Sequence, residues 1–171
     1  MRIAFFSDSY LLSSAYGRDV RSLATGLQAR GHSVLTVALQ HIGPPIEPVP
    51  GIPIFGARSA GGLADVLKAN DADVLCHVRD AWSFYPARRF QADAYDLNPI
   101  RRYTKTKIVS MTPLDSAPAP REFVETVSEC ADLTIVQAEW EKEQLAAQGA
   151  PIDKMRVLAH GVDTGIFHPG P

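Results

Sequence analysis

Nowhere in the 171 residues do apolar side chains run for the roughly 20 positions that a helix needs to span a bilayer, so no transmembrane segment is expected. Charge of one sign is also missing: 17 Lys and Arg stand against 19 Asp and Glu, a formal net charge of −2. That balance offers no overall footprint for nucleic acid; peripheral contact with a membrane is left open. Cysteine is scarce, with only Cys76 and Cys130, both inside apolar segments and without CxxC or Cys/His ligand spacing. A disulfide framework and a zinc site are therefore excluded, no metal centre is expected, and two inert buried thiols suit a reducing, cytoplasmic setting. His32, His41, His77 and His168 show no ligand spacing either. The N-terminal apolar run is broken by Ser7, Asp8 and Ser9 with no small-residue cleavage site after it, which reads as a buried first strand rather than a signal peptide.

Nucleotide fingerprints are absent as well. The loop after the first strand has the single glycine Gly17 where a dinucleotide site needs GxGxxG, and Gln40-His41 follow the second strand where an acidic residue belongs. GxxxxGK[ST] and GxSxG do not occur, so neither a P-loop ATPase nor a serine hydrolase of the nucleophile-elbow type is supported.

What the sequence does have is 46% hydrophobic and 21% charged residues, enough for one well-filled core, arranged as short apolar runs alternating with segments of helical period. This pattern predicts a doubly wound α/β domain with a mainly parallel sheet, spanning residues 1–171. Strands are expected at Arg2–Phe6, Ser33–Leu39, Ile52–Ala57 (an edge strand), Asp73–Val78, Lys107–Met111, Leu133–Val136 and Arg156–Ala159. Helices are expected at Gly17–Arg30, Gly62–Asn70, Arg121–Cys130 and Glu139–Gln148, with irregular helix and loop over Trp82–Arg102. The Pro- and Gly-rich stretch Gly43–Pro53 reads as a surface loop.

In an open parallel sheet, ligands bind beyond the carboxyl ends of the strands. That rule selects Ser7–Arg18, Arg79–Trp82, Pro113–Ser116 and His160–Asp163. Gly17 and Arg18 open the first helix, where N–H groups and a guanidinium suit a phosphate or carboxylate; a glycine for a tight turn and a solvated arginine are the plainer reading. Asp80 with Trp82 pairs a hydroxyl acceptor with an apolar platform, as a sugar requires, although Trp82 also fits an ordinary core. Asp115 in its Pro-flanked turn suits either chemistry or an Asx-turn. His160 at a strand end suits proton transfer or simple packing.

The final third, LTIVQAEWEKEQLAAQGAPIDKMRVLAHGVDTGIFHP, resembles the end of the N-terminal domain in glycosyltransferase family 4, of the GT-B fold, where a strand and helix lead into an (N/H)GVD turn and a later F-x-P. Here those are His160, Gly161, Val162 and Asp163, then Phe167 and Pro169. SSAYGRDVRSLATGLQARGHSV is similar to the family's first loop and helix, with Tyr16, Gly17 and Arg18 in the loop; RDAW and PLDSAPAP resemble segments of one branch. The resemblance implies a Rossmann-like acceptor-side domain that works with a second Rossmann-like domain, absent from these 171 residues, in a retaining hexosyl transfer from a nucleotide-sugar to an acceptor. It implies a nucleotide-sugar as co-substrate and no other cofactor. Gly17 and Arg18 would meet the donor phosphates, Tyr16, Asp80 and Trp82 the acceptor, and His160, Gly161 and Asp163 the interdomain turn. Many members carry a histidine after the strand that here ends at Met111; Thr112-Pro113-Leu114-Asp115 has none, so Asp115 becomes the candidate catalytic substitute. By this reading the chain is inactive alone. A non-catalytic glycan- or protein-binding module using the same cleft is the alternative. Apolar surface near Ile166 and Phe167 is expected to lie bare.

Overall fold

The computed structural model describes residues 1–80, 98–162 and 164–168. Among these, eight strands form one sheet in the order β3-β4-β2-β1-β5-β6-β7-β8. They are β1 (Arg2–Ser7), β2 (Ser33–Ala38), β3 (Ile46–Val49), β4 (Ile52–Gly56), β5 (Val74–Val78), β6 (Lys107–Met111), β7 (Leu133–Val136) and β8 (Met155–Val157). Every pairing is parallel except that of β3 with β4. The helices are α1 (Ala15–Ala29), α2 (Ala60–Ala69), α3 (Asn98–Tyr103), α4 (Arg121–Glu125) and α5 (Glu139–Ala147).

The central strands are almost wholly apolar because both faces are covered. Along β1 the alternation splits the core. Ile3 and Phe5 join Val20 and Ala24 of α1, whereas Ala4 and Phe6 join Leu63 and Leu67 of α2. Each fully buried leucine of this kind contributes about 2 kcal/mol relative to exposure, and Leu67→Ala would cost about 3 kcal/mol. A third cluster packs Leu145 of α5 and Val127 on Val136 and Met155. Side-chain oxygens cap the first two helices: Ser14 accepts the N–H of Gly17, and Ser59 that of Gly62.

Two expectations about the left edge need correction. Gly43–Pro53 is not loop throughout, because it contains β3 and the start of β4. The strand Ile52–Gly56 is consequently second from the edge, not the edge. A proline-bearing segment can be a strand when one of its flanks needs no partner, and Pro48 sits on this outermost strand. The expected helix Arg121–Cys130 also changes character: its second half, Thr126–Cys130, is a π-turn in which Ala131 N–H donates to the Thr126 carbonyl. The neighbouring carbonyls are used from outside, that of Ser128 by Lys154 Nζ at 3.0 Å and that of Glu129 by the Arg101 guanidinium. The last strand starts one residue earlier and ends two residues earlier than the expected Arg156–Ala159, and Leu158 N–H still donates to the Val136 carbonyl. Burial pushes the Cys76 thiol up to about 12, and Cys130 is buried. Among the described residues no helix is long and apolar enough to cross a membrane.

Candidate functional site

Because seven strands run parallel, the segments leaving β1, β2, β5, β6 and β8 all emerge at the carboxyl end of the sheet. The first of them is the most tightly built. Ser14 Oγ accepts Gly17 N–H at 3.1 Å and donates to Asp8 Oδ2 at 2.8 Å. The other Asp8 oxygen accepts from Gln40 Nε2 at 2.8 Å and lies 3.6 Å from Arg79 Nη2. Gln40 Oε1 closes the circuit by accepting Ser9 N–H at 3.0 Å, and Tyr10 ties the loop to β4 by donating to the Ile52 carbonyl at 2.9 Å. Gly17 is buried under this loop: a Cβ there would stand 2.7 Å from the carbonyl oxygens of Ser9 and Leu12. Helix geometry leaves the N–H groups of Ala15 and Tyr16 without intrahelical acceptors, at the positive end of α1.

Tyr16 bridges to the segment leaving β5, donating to Asp80 Oδ1 at 2.6 Å. Burial raises the phenol above its ordinary pKa; the bond to Asp80 and the negative charges of Asp80 and Asp115 act in the same direction, and Arg79 partly opposes them. Tyr16 is therefore a neutral donor. Beneath this pair, Ser7 Oγ donates to the Val78 carbonyl at 2.6 Å, and His77 is fully buried, its pKa driven well below the usual range by burial and by Arg79. An uncharged imidazole at that depth is not available for general acid–base work. Arg79 Nε is buried, with no hydrogen-bond partner among the described residues.

The structure thus brings Tyr16, Asp80 and Asp115 into one electrostatic neighbourhood beside Gly17, with Asp115 exposed and acting on Tyr16 through its charge. Arg18 is exposed on the first turn of α1. His160 Nε2 stands 3.9 Å from Asp19 Oδ2, which places the segment after β8 against the N-terminal part of α1. Gly161 and Val162 are exposed, as are Ile166 and Phe167 at 70% and 69%. Trp82 and Asp163 lie outside the described residues. Sequence reasoning placed Asp8 and Arg79 in the selected strand-end segments without giving either a role, and named Gln40 only as a non-acidic residue after the second strand; the signal available was a polar residue just past the carboxyl end of a buried strand in each case. Carboxylates and a tyrosyl hydroxyl around one guanidinium form a surface of hydrogen-bonding groups suited to a ligand rich in hydroxyls. Among the described residues, no group of three His, Cys, Asp or Glu side chains is placed to share a metal ion.

Comparison with solved structures places this architecture. A sucrose-phosphate synthase chain from Thermosynechococcus elongatus superposes with a TM-score of 0.61 at 14% identity, over 95% of this chain and 91% of that one. HepE from Anabaena, in its complex with UDP and glucose, gives 0.63 at 15% identity over all of this chain. The match spans 47% of the HepE chain. The UDP-GlcNAc 2-epimerase of Methanocaldococcus jannaschii gives 0.53 at 11% identity, over 92% of this chain and 45% of that one. At these identities the likeness is one of fold: a single Rossmann-like α/β domain corresponding to one half of a GT-B architecture. No curated protein matches. The sequence profile of Glycosyltransferase Family 4 matches residues 17–165, from the glycine beneath the first loop to the segment beyond the last strand, and the chain belongs to that family.

Proposed function

We propose that this chain is the acceptor-side domain of a retaining sugar transferase, which moves a hexosyl group from a nucleotide-sugar to an acceptor in a cleft completed by a second Rossmann-like domain. The observation that carries the reading is the Tyr16–Asp80 bond, which joins the segments leaving β1 and β5 at 2.6 Å beside Asp115, in a member of this family. HepE structures with UDP and with UDP-glucose support a nucleotide-sugar as co-substrate.

Breaking a glycosyl–phosphate bond leaves negative charge on the departing diphosphate and develops positive charge on the sugar, so each needs groups already in place. The first turn of α1 meets the diphosphate: Gly17 lets the loop close tightly over the helix, and Arg18 adds a cation. Tyr16, Asp80 and Trp82 hold the acceptor. Asp115 is the catalytic candidate, orienting the attacking hydroxyl and stabilising charge on the sugar. His160, Gly161 and Asp163 shape the turn toward the second domain. The domain alone does not catalyse transfer.

Calorimetry tests this reading. The chain should bind simple sugars and UDP-glucose only weakly, while the protein with its second domain binds the nucleotide-sugar tightly and transfers hexose. Nucleotide binding by the 171 residues alone at micromolar strength would overturn the assignment of the acceptor side.

A further inference from the structure

We propose that Gln40 is a positioning residue for this site, acting through Asp8 rather than on any substrate; the inference rests on the reading that the β1–α1 loop meets the donor diphosphate. Gln40 lies two residues past the end of β2, on a different segment from the one it holds. Both ends of its amide are used, Oε1 by Ser9 N–H and Nε2 on Asp8 Oδ1. Asp8 Oδ2 accepts from Ser14 Oγ, which accepts Gly17 N–H. Three hydrogen bonds therefore run in series from Gln40 to the backbone of the first turn of α1.

Packing does not explain the residue, because Gln40 is exposed while Asp8 is 12% exposed. Its chemistry does. Glutamine offers an acceptor for Ser9 and a donor for Asp8 at one span; glutamate keeps the acceptor but sets a like charge against Asp8, and lysine has no acceptor at all. Asp8 also has Arg79 at 3.6 Å on the oxygen that Gln40 holds. Without the amide, that carboxylate is free to rotate toward the guanidinium and away from Ser14. Gly17 would feel this directly, since its N–H is the far end of the relay and the loop packs so close that a Cβ there would meet the Ser9 and Leu12 carbonyl oxygens at 2.7 Å.

The test is a series of Gln40→Glu, Gln40→Ala and the paired Asp8→Asn/Gln40→Glu. Hydrogen exchange reads the relay without substrate. Gln40→Glu should speed exchange of the Gly17 amide at least about tenfold and Gln40→Ala somewhat less, the Ser9 amide should be speeded chiefly by Gln40→Ala, which alone removes its acceptor, and both should leave Leu75 and Ile108 protected. The paired exchange should restore protection, because the introduced asparagine then donates to the introduced carboxylate. In transfer assays of the two-domain protein with UDP- and GDP-linked hexoses, the single variants should raise the donor KM about tenfold with kcat within about threefold, and the pair should recover it. Unaltered Gly17 exchange in both single variants, or failure of the pair to recover, overturns the relay. Faster exchange with an unchanged donor KM overturns its role in positioning. A wild-type protein that handles no nucleotide-sugar overturns the underlying function instead, and the exchange data alone then decide the relay.

Discussion

The two ends of the sheet use their charged side chains differently. At the amino end, carboxylates close turns beside the strand they serve: Asp73 accepts the N–H of Arg2, and Asp132 accepts that of Ile108. The ion pair Arg2–Asp71 there is short, 2.6 Å, yet its side chains are 53% and 80% exposed. At the carboxyl end, Asp8 and Arg79 are 3.6 Å apart but only 12% and 22% exposed, and Asp8 is bound from two different segments. Distance is thus a poor guide to which pair matters. The amino end uses charge to finish the fold, while the carboxyl end uses it to tie together loops that core residues such as Tyr10 anchor at single points.

Glycines give the sharpest way to break the comparison. Gly17→Val should destabilise by about 3 kcal/mol in urea unfolding, because the new side chain meets backbone oxygens that cannot move without opening the loop. Gly31, at the other end, has φ of +83° and open space around it, so Gly31→Ala should cost only about 1 kcal/mol, through backbone conformation alone. Equal effects at the two positions would mean that the tightness of the first loop is not what holds it.

A carboxylate-to-amide change separates the ends next. Asp8→Asn should cost about 2 kcal/mol and be insensitive to salt, since it sets an amide N–H₂ against donors that lack another acceptor in a half-buried place. Asp132→Asn should cost somewhat less, about 1 to 1.5 kcal/mol, with a pH signature. Burial works against ionisation of Asp132, but the Ile108 N–H together with Lys107 and Arg101 outweighs it and holds the carboxyl below its ordinary value of 3.8. A depressed folded-state pKa means the stabilisation is present above that value and is lost as pH falls through the lower folded one. Wild type and variant should therefore differ fully at pH 6 and converge in denaturant titrations as pH falls through the depressed folded-state value. A gap that persists in acid would show that Asp132 acts by packing.

Much of the sheet was legible because buried parallel strands announce themselves as dense apolar runs with polar ends; Lys107–Met111 and Leu133–Val136 have the bounds their residues predict. β3 was hidden because an outer strand tolerates proline and needs little apolar surface, so Ile46–Val49 looks like its loop surroundings. The π-turn was hidden because Thr126–Cys130 keeps a helical pattern and differs only in which carbonyls are bound from outside. The rim is the least legible part. Its position follows from topology, and its polar residues were visible at strand ends, but the partnerships span 32 residues for Gln40–Asp8 and 64 for Tyr16–Asp80. No periodicity encodes such pairs; they exist only once neighbouring strands are in register.

The smallest effect is expected at Asp71, and it isolates what an exposed ion pair is worth. Asp71 has φ of 46°, a left-handed conformation that asparagine adopts as readily, so Asp71→Asn removes the charge without adding backbone strain. Only the contact with Arg2 is lost, between two side chains that water already reaches. The cost should stay below about 0.5 kcal/mol at low salt and vanish in molar salt, where the screening length shrinks to about 3 Å. Asp71→Ala serves as the control: it forfeits the same ion pair and in addition forces a Cβ without a local hydrogen-bonding group into positive φ, so it should cost roughly 1 kcal/mol more, whatever the salt. If the asparagine variant instead lost stability comparable to Asp8→Asn and kept that loss at high salt, exposure would not be what divides the two ends of the sheet, and Asp8 would owe its importance to something other than its half-buried, doubly held carboxylate.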